Sequence, residues 1–281
     1  MDLKEIEAKS ILVKSNLPDT DYVINPYTGC SFGCTYCYAS FMGRFNGKTF
    51  DDWGKYVFAK TNAPKLLERQ IKSIKNKGKG KTVFLSSVTD PYQGIEAKYK
   101  LTRQCLQTLF EHDFQGLVAI LTKSDLVLRD LNILQKLHHV EAGLTITSTD
   151  DSISRYFEKY APAVSRRLKA LATLNKAKIS TYAFIGPLLP HYISKEKELD
   201  KLLKAIADTG TKEVYVEHIN LTSYILGRLR KEMKNADPKI LDTFYKSKNK
   251  KYQEELDKIV EDLCKKHKLK IRLGKTIKHG Q

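Results

Sequence analysis

Three of the five cysteines lie in one short loop with the spacing Cys-x3-Cys-x2-Cys. They are Cys30, Cys34 and Cys37. Thiolates are the usual protein ligands of iron–sulfur clusters. Three cysteines can hold three irons of a four-iron cubane and leave the fourth iron open to a substrate or cofactor. Gly29 and Gly33 suit a loop that folds tightly around such a group, because glycine reaches positive φ at little cost.

Two other structures would also explain closely spaced cysteines, namely a zinc site and a disulfide. A structural zinc ion normally takes four ligands, and the nearest further candidates in sequence are Cys105 and His112. Disulfide frameworks are typical of small secreted chains, whereas this chain has 281 residues. The spacing therefore favours a cluster on Cys30, Cys34 and Cys37, with zinc as the main alternative.

The loop resembles the signature of the radical S-adenosylmethionine (SAM) enzymes, in which an aromatic residue, here Tyr36, precedes the last cysteine. Further stretches resemble one branch of that superfamily, the spore photoproduct lyase-like or DNA repair photolyase-like proteins. These stretches are Asn25–Cys30, Ser86–Gln93, Leu121–Ser124, Arg129-Asp130 and Arg167-Leu168-x-Ala170. The resemblance covers roughly residues 20 to 220.

This resemblance implies a particular cofactor chemistry. In that family three cysteines hold a [4Fe-4S] cluster, and its open iron chelates the amino and carboxylate groups of SAM. The reduced cluster splits SAM into methionine and a 5′-deoxyadenosyl radical, which abstracts hydrogen from a substrate. Because the cluster must be reduced, the resemblance also implies an electron donor such as a flavodoxin or ferredoxin.

The sequence departs from spore photoproduct lyases in one respect that bears on the reaction. In those enzymes a separate cysteine returns hydrogen to the product radical. The second predicted strand here ends Leu85-Ser86-Ser87, without a cysteine. The resemblance therefore does not carry thymine-dimer repair over to this chain, and the substrate stays open.

Seven residues are implied by the resemblance to contact SAM, and each also has a plain structural explanation. They are Tyr36, Ser86, Ser87, Lys123, Thr147, Ser148 and Arg167. Ser86 and Ser87 occupy the place where related enzymes bind the SAM amino group, or they form an ordinary strand-end turn. Lys123 is expected to pair with the SAM carboxylate, or it is a surface lysine whose stem packs on the core.

The other four positions are read in the same two ways. Thr147 and Ser148 are expected to meet the SAM carboxylate or ribose, or they only continue the alternation of a half-polar strand. Arg167 is expected to hold the carboxylate in a bidentate way. Alternatively, Arg167 and its neighbour Arg166 both lie on a helix surface. Tyr36 is expected to help position adenine, largely through its backbone.

The elements that must position these residues follow from alternating strand and helix patterns. Strands are predicted at 22–24, 82–85, 117–121, 141–147, 179–185 and 213–219, and helices at 64–75, 102–110, 126–137, 152–175 with a break at Pro162, 195–207 and 252–264. Repeated strand–helix units indicate an α/β fold with a parallel sheet and right-handed crossovers. The resemblance implies a partial (β/α)6 TIM-like barrel, whose chemistry collects at the carboxyl ends of the strands.

The net charge of +17 is unevenly distributed along three predicted regions. Residues 1–20 are predicted as an N-terminal lead-in, 21–220 as the radical SAM core and 221–281 as a basic, mainly helical extension. Residues 65–81 carry a net +6 and residues 228–281 a net +9. Such segments suit contact with DNA or RNA, or they form a lysine-rich solvated surface.

Two features predict a cytoplasmic protein without a membrane partner. The first residues are charged, which predicts no secretory signal. No stretch approaches the ~18 continuous apolar residues of a membrane span. A reducing compartment also keeps thiols available for metal.

The sequence as a whole predicts a radical SAM enzyme acting on an unknown substrate, with nucleic acid as one candidate. Two alternatives remain open. The first is a radical SAM enzyme for a small molecule or peptide. The second is a non-catalytic, metal-stapled nucleic-acid-binding protein.

Overall fold

The computed structural model describes residues 1–279. The strands of its main sheet are β2 (Leu12–Lys14), β3 (Tyr22–Ile24), β6 (Thr82–Leu85), β7 (Leu117–Thr122), β8 (His139–Thr145), β9 (Ser180–Leu188), β10 (Glu213–His218) and β11 (Lys270–Ile271). Within the described chain these strands have the order β11-β10-β9-β8-β7-β6-β3-β2. All neighbours pair in parallel except β2 with β3.

This sheet confirms the predicted fold class. The six predicted strands lie side by side in chain order, as β3 and then β6 to β10. The described strands run from β2 at one edge to β11 at the other without closing on each other, so the barrel is partial. Because these six strands are parallel, their carboxyl ends share one rim, where the loops can build a site.

Helices cover the outer face of the sheet and continue after its last long strand. Their bounds are α1 (Ala63–Ile71), α2 (Glu96–Tyr99), α3 (Leu101–Glu111), α4 (Leu131–Leu134), α5 (Asp151–Phe157), α6 (Val164–Lys176), α7 (Glu196–Asp208), α8 (Ser223–Glu232), α9 (Pro238–Lys246) and α10 (Lys250–Lys266). In α7, Leu199, Leu202, Leu203 and Ile206 are fully buried, as their spacing of three and four residues requires. None of the described helices has both the length and the apolar character of a membrane span.

A second, three-stranded sheet was not predicted. It has the order β1-β5-β4, with β1 (Asp2–Ile6), β4 (Tyr27–Thr28) and β5 (Tyr56–Lys60). β1 pairs in parallel with β5, and β4 pairs antiparallel with it. β1 is charged and largely exposed, so it lacks the apolar alternation that marks a strand in sequence. Its pairing partner lies some fifty residues away, which local patterns do not reveal.

The helix predicted over 126–137 was wrong in form. A 3-10 helix occupies Asp125–Asp130, and α4 adds only Leu131–Leu134. Ser124 accepts a hydrogen bond from the Leu126 amide at 3.2 Å and begins the 3-10 helix. The predicted break at Pro162 is confirmed, since α5 ends at Phe157 and α6 starts at Val164.

Candidate functional site

The cysteine loop follows β3 and β4 and is packed into the protein. Cys30 and Cys34 are each 6% exposed, and Cys37 is half-buried. Gly29 has a φ of +82°, and a Cβ atom there would lie 2.5 Å from the carbonyl oxygen of Tyr56. Only glycine fits both this backbone conformation and this approach. The three thiols are therefore presented by a loop in tight contact with β5.

Backbone hydrogen bonds fix the loop to two neighbouring segments. The Ser31 amide donates to Oε1 of Gln93 at 2.8 Å, and Nε2 of Gln93 donates to the Gly29 carbonyl at 3.2 Å. The Thr35 amide donates to the Phe157 carbonyl at 2.8 Å. Gln93 follows β6 and Phe157 ends α5, so the loop is held from both sides.

Burial and neighbouring negative charge oppose ionisation of the three thiols. Burial raises the pKa of each one, and raises that of Cys34 to about 12. The negative charge of the Cys34 thiolate raises the pKa of Cys30 further, and that of the Cys37 thiolate raises the pKa of Cys34. The positive charge of Lys123 lowers the pKa of both Cys34 and Cys37. Bound iron would offset the cost of holding these thiolates together.

The donor set fits a thiolate-bound cluster. Within residues 1–279, no three His, Cys, Asp or Glu side chains gather closely enough to share one metal ion. A cubane cluster places a different iron at each of its cysteines, so its ligands need not meet at one point. Cys30, Cys34 and Cys37 share one loop and stay the predicted ligands of such a cluster.

Glu158 joins three of the predicted site residues and was not itself predicted. Its buried carboxylate accepts hydrogen bonds from the hydroxyl of Tyr36, from Oγ1 of Thr147 at 3.0 Å and from the guanidinium of Arg167. Although burial raises the pKa of Glu158, the charges of Arg167 and Lys123 lower it below its ordinary value. Glu158 is thus held ionised by the residues around it.

Arg167 points inward, whereas its neighbour Arg166 lies on the surface. Arg167 is fully buried. Besides Glu158, it donates to the carbonyl of Pro162 at 2.8 Å and to that of Thr145 at 3.1 Å. All three of its nitrogens therefore donate within the protein. Arg166 pairs instead with Asp125 at 2.7 Å, and its side chain is 62% exposed.

Ser86 carries an unused hydroxyl at the carboxyl end of β6. Its φ is +69°, an uncommon conformation for a residue with a side chain. It is 5% exposed, and its Oγ has no partner among the described residues. In the next residue, the carbonyl of Ser87 accepts a hydrogen bond from the hydroxyl of Tyr38, and Oγ of Ser87 lies 3.4 Å from Nδ2 of Asn25. A strained residue with an orphaned buried hydroxyl is typical of a ligand site.

Lys123 and Ser148 follow β7 and β8 at the same rim. Nζ of Lys123 lies 5.7 Å from the centre of the Tyr36 ring. Burial lowers the pKa of Lys123, but the negative charges of Cys34 and Glu158 raise it overall. Oγ of Ser148 accepts from the Asp150 amide at 2.9 Å. The structure thus joins Tyr36, Thr147 and Arg167 at Glu158. The other four predicted SAM residues, Ser86, Ser87, Lys123 and Ser148, follow the carboxyl ends of β6, β7 and β8.

Asp90 ties two of these strands together. Its carboxylate accepts from Oγ1 of Thr122 at 2.6 Å, from the Lys123 amide at 2.8 Å and from the Tyr92 amide at 2.9 Å. Asp90 lies within the stretch Ser86–Gln93 that resembles the spore photoproduct lyase-like branch, but it was not among the predicted site residues. The two remaining cysteines, Cys105 and Cys264, are buried and free.

Arg228 reaches the loop from α8, which the sequence placed in a separate extension. Its Nη2 donates to the carbonyl of Cys34 at 3.0 Å. One turn earlier, the hydroxyl of Tyr224 donates to the Tyr38 carbonyl at 3.0 Å. The site therefore draws on residues far beyond the cysteine motif.

Comparison with known proteins agrees with this arrangement. Residues 24–203 match the family model described as Radical SAM superfamily. An uncharacterized protein of Methanocaldococcus jannaschii is 38% identical over 196 residues, which are 70% of this chain and 71% of the relative. An uncharacterized protein of Mycobacterium tuberculosis is 28% identical over 229 residues, 79% of this chain and 66% of the relative. The chain thus spans slightly less than two thirds of the mycobacterial protein.

Two solved structures illustrate the similarity of this fold to known proteins. Spore photoproduct lyase complexed with dinucleoside spore photoproduct has a TM-score of 0.71 at 14% identity, over 98% of this chain and 81% of that one. SuiB of Streptococcus suis bound to S-adenosylmethionine has a TM-score of 0.55 at 14% identity, over 92% of this chain and 50% of that one. At these identities the similarity shows the fold alone.

Proposed function

Because this chain belongs to the radical SAM superfamily, we propose that Cys30, Cys34 and Cys37 hold a [4Fe-4S] cluster that binds SAM. The observation that carries the proposal is the buried three-thiol loop, which is hydrogen-bonded through Gln93 to the stretch after β6 that holds the orphaned hydroxyl of Ser86. When bound, the cluster and SAM supply a 5′-deoxyadenosyl radical for hydrogen abstraction. The protein supplies position, charge and exclusion of water.

The predicted SAM residues divide into two groups by their hydrogen bonds. Ser86, Ser87, Lys123 and Ser148 have polar atoms available at the rim, and we assign them to SAM itself. The cationic Lys123 suits the SAM carboxylate, and the free hydroxyl of Ser86 suits the amino group. Tyr36, Thr147 and Arg167 donate to Glu158. We assign these three to holding the cysteine loop and the rim in place.

The proposed reductant is a flavodoxin or ferredoxin, since radical SAM enzymes generally need one. We place the protein in the cytoplasm, where a reducing environment preserves thiols and such donors operate.

The proposed substrate class is nucleic acid, with its contact surface beside the cysteine loop. The 3-10 segment Tyr38–Asn46 directly follows Cys37 and exposes aromatic and basic side chains. Phe45 is 65% exposed, and the guanidinium of Arg44 lies 4.8 Å from its ring centre. Aromatic rings and cations together suit bases and phosphates. α8 adds further positive charge next to this segment.

The first of the two basic segments, residues 65–81, is badly placed to contact a substrate at the cysteine loop. Residues 75–81 precede β6 and therefore lie at the amino ends of the strands, opposite the cysteine loop. There Lys77 pairs with Asp113 at 2.6 Å and Lys81 with Asp21 at 2.8 Å. We accordingly restrict the proposed contact to α8 and the segment that follows Cys37.

A small-molecule or peptide substrate is the second candidate. It is favoured by the pairing of lysines on α10 with acids one turn away, as in Lys250–Glu254 and Lys251–Glu255. Such pairs are typical of a solvated helix.

Oligonucleotide binding separates the two candidates. We expect intact protein to bind single-stranded DNA or RNA with an affinity that falls as salt rises. Arg44→Gln is expected to weaken binding and reduce the slope of log affinity against log salt by about 1. Lys75→Gln, at the amino ends of the strands, is the matched control and should not change the affinity or its dependence on salt. Absence of binding at every salt concentration would reject the nucleic-acid substrate.

SAM binding tests the cofactor assignment. In reconstituted protein, Ser86→Ala is expected to weaken SAM binding about tenfold, because one hydrogen bond is worth about 1 kcal/mol or slightly more. Ser152→Ala, which alters an exposed hydroxyl at the start of α5, is the control. Equal SAM affinity in wild type and Ser86→Ala would contradict the assignment.

A further inference from the structure

Helix α8 is held beside the cysteine loop by three hydrogen bonds, two to Cys34 and Tyr38 and one to α5. The hydroxyl of Tyr224 donates to the Tyr38 carbonyl at 3.0 Å, and Nη2 of Arg228 donates to the Cys34 carbonyl at 3.0 Å. At the end of the helix, the Glu232 carbonyl accepts from the hydroxyl of Tyr156 at 2.8 Å. These contacts hold the middle of α8, and with it Arg228, directly against the loop.

Arg228 has a second donor nitrogen that no described group satisfies. Its Nη1 is buried and has no hydrogen-bond partner within residues 1–279. A buried donor left unpaired costs about 1–3 kcal/mol, and more when the group is charged. Such orphaned groups are rare in folded proteins and call for an acceptor. The position of Nη1 therefore indicates an acceptor that the protein itself does not provide.

The acidic groups around Arg228 narrow the choice of acceptor. The charges that act on it are those of Cys37 and Cys34, followed by Asp51 and Glu232. Asp51 is paired with Lys231 and Glu232 with Lys159. Both carboxylates thus already have a cation of their own. The cysteine sulfurs, and whatever they bind, are left as the anionic partner of Arg228.

We propose that Nη1 of Arg228 donates to a sulfur of the bound iron–sulfur cluster and that its charge raises the reduction potential of that cluster. This inference rests on the proposed function, since it requires a cluster on the three cysteines. Reduction adds one negative charge to the cluster, and a cation held nearby in a buried site stabilises the reduced form more than the oxidised form. Hydrogen bonds to cluster sulfurs act in the same direction.

Arg228 is a positioning residue in this account. It places a charge and a donor beside the cluster and acts through the cluster. It also gives the basic extension a definite role, because α8 supplies a part of the cluster environment that the cysteine motif lacks. The first helix after the barrel then influences how easily the cluster accepts an electron.

A redox titration followed by electron paramagnetic resonance tests this inference on full-length, reconstituted protein. Arg228→Gln is expected to lower the ratio of reduced to oxidised cluster at least tenfold at a fixed solution potential, which is about 59 mV for a one-electron couple. Arg230→Gln is the matched control. It removes the same charge two residues along α8, where the side chain donates to the hydroxyl of Tyr245. It is expected to change the ratio less than twofold.

A second variant covers the case in which Arg228→Gln does not assemble a cluster. Arg228→Lys keeps the charge but loses the second donor, and is expected to lower the ratio about threefold. An unchanged ratio in Arg228→Gln, or in Arg228→Lys if only that variant assembles, overturns the inference. A wild-type protein that takes up no iron and sulfide would contradict the proposed function, and with it this inference. A wild-type cluster with unaltered potential in the variants contradicts the inference alone.

Discussion

Glu158 offers a sharp test of how the site is held together. Its carboxylate and the guanidinium of Arg167 are both fully buried and bonded to each other. Glu158→Gln removes the negative charge and leaves the guanidinium buried without a counter-ion. Breaking one side of a buried ion pair costs about 3–5 kcal/mol. We expect the free energy of unfolding to fall by that amount in urea denaturation under anaerobic, metal-free conditions.

The neighbouring surface pair provides the control. Asp125→Asn breaks the pair with Arg166, which is 62% exposed on the adjacent turn of the chain. Exposed pairs contribute about 0–1 kcal/mol, so this variant is expected to lose less than 1 kcal/mol. The two substitutions neutralise the carboxylate partners of consecutive arginines, one in a buried pair and one in an exposed pair.

A double-mutant cycle completes the test. Replacing Glu158 and Arg167 together by methionine removes both buried charges, which is often nearly neutral. The carbonyls of Pro162 and Thr145 lose their donor, and the hydroxyls of Tyr36 and Thr147 lose their acceptor, so we expect a net loss of about 4 kcal/mol at one each. The double variant should therefore lose less than the sum of Glu158→Gln and Arg167→Met, each of which leaves a buried charge unpaired. A cost for Glu158→Gln no larger than the control, or fully additive effects, would refute the reasoning.

Three further predictions concern Gly29, the hydroxyl of Tyr36 and the effect of pH. Gly29→Ala places a Cβ 2.5 Å from a backbone oxygen at positive φ, so the free energy of unfolding should fall by about 2–4 kcal/mol. Gly47→Ala is the control, because the space around Gly47 is open, and it should lower the free energy of unfolding by about 1 kcal/mol. Tyr36→Phe should lose about 1.5–3 kcal/mol, since its hydroxyl bonds a buried carboxylate; no loss would exclude that bond. Burial lowers the pKa of His218, although Asp257 acts in the opposite direction. The unfolded chain therefore binds a proton at this histidine more readily than the folded chain does, and the urea midpoint of unfolding should decrease as pH falls below about 6.5. His218→Gln should make the midpoint depend less on pH.

The sequence predicted the parts of this fold that depend on local patterns. The six parallel strands and most of their helices carry continuous apolar runs or helical spacing, and these were found close to their observed bounds. β1 and β5 were missed because their pairing is set by residues far apart in the chain. The helix predicted over 126–137 was wrong because its apolar spacing also suits the 3-10 turn that Ser124 begins.

The same division applies to the site. The three cysteines and the strand-end polar residues could be named as candidates from the sequence, because they belong to compact motifs or follow predicted strands. Glu158 lies after α5 in a stretch without a motif, and only the fold brings it to Arg167. Arg228 sits among many basic residues of the extension, so charge alone did not distinguish it. Residues in a local pattern can be predicted from the sequence, whereas Glu158 and Arg228 reach their partners only through tertiary contacts.

The central claim is tested most directly by an anaerobic reconstitution with iron and sulfide, followed by SAM and a strong reductant. The account predicts about four irons and four sulfides per chain, with formation of 5′-deoxyadenosine that is lost in Cys34→Ala. Cys105→Ala, which alters a buried free cysteine outside the loop, should retain both. Zinc in place of iron, or a cluster and deoxyadenosine unaffected by Cys34→Ala, would contradict the assignment of this loop as a radical SAM centre.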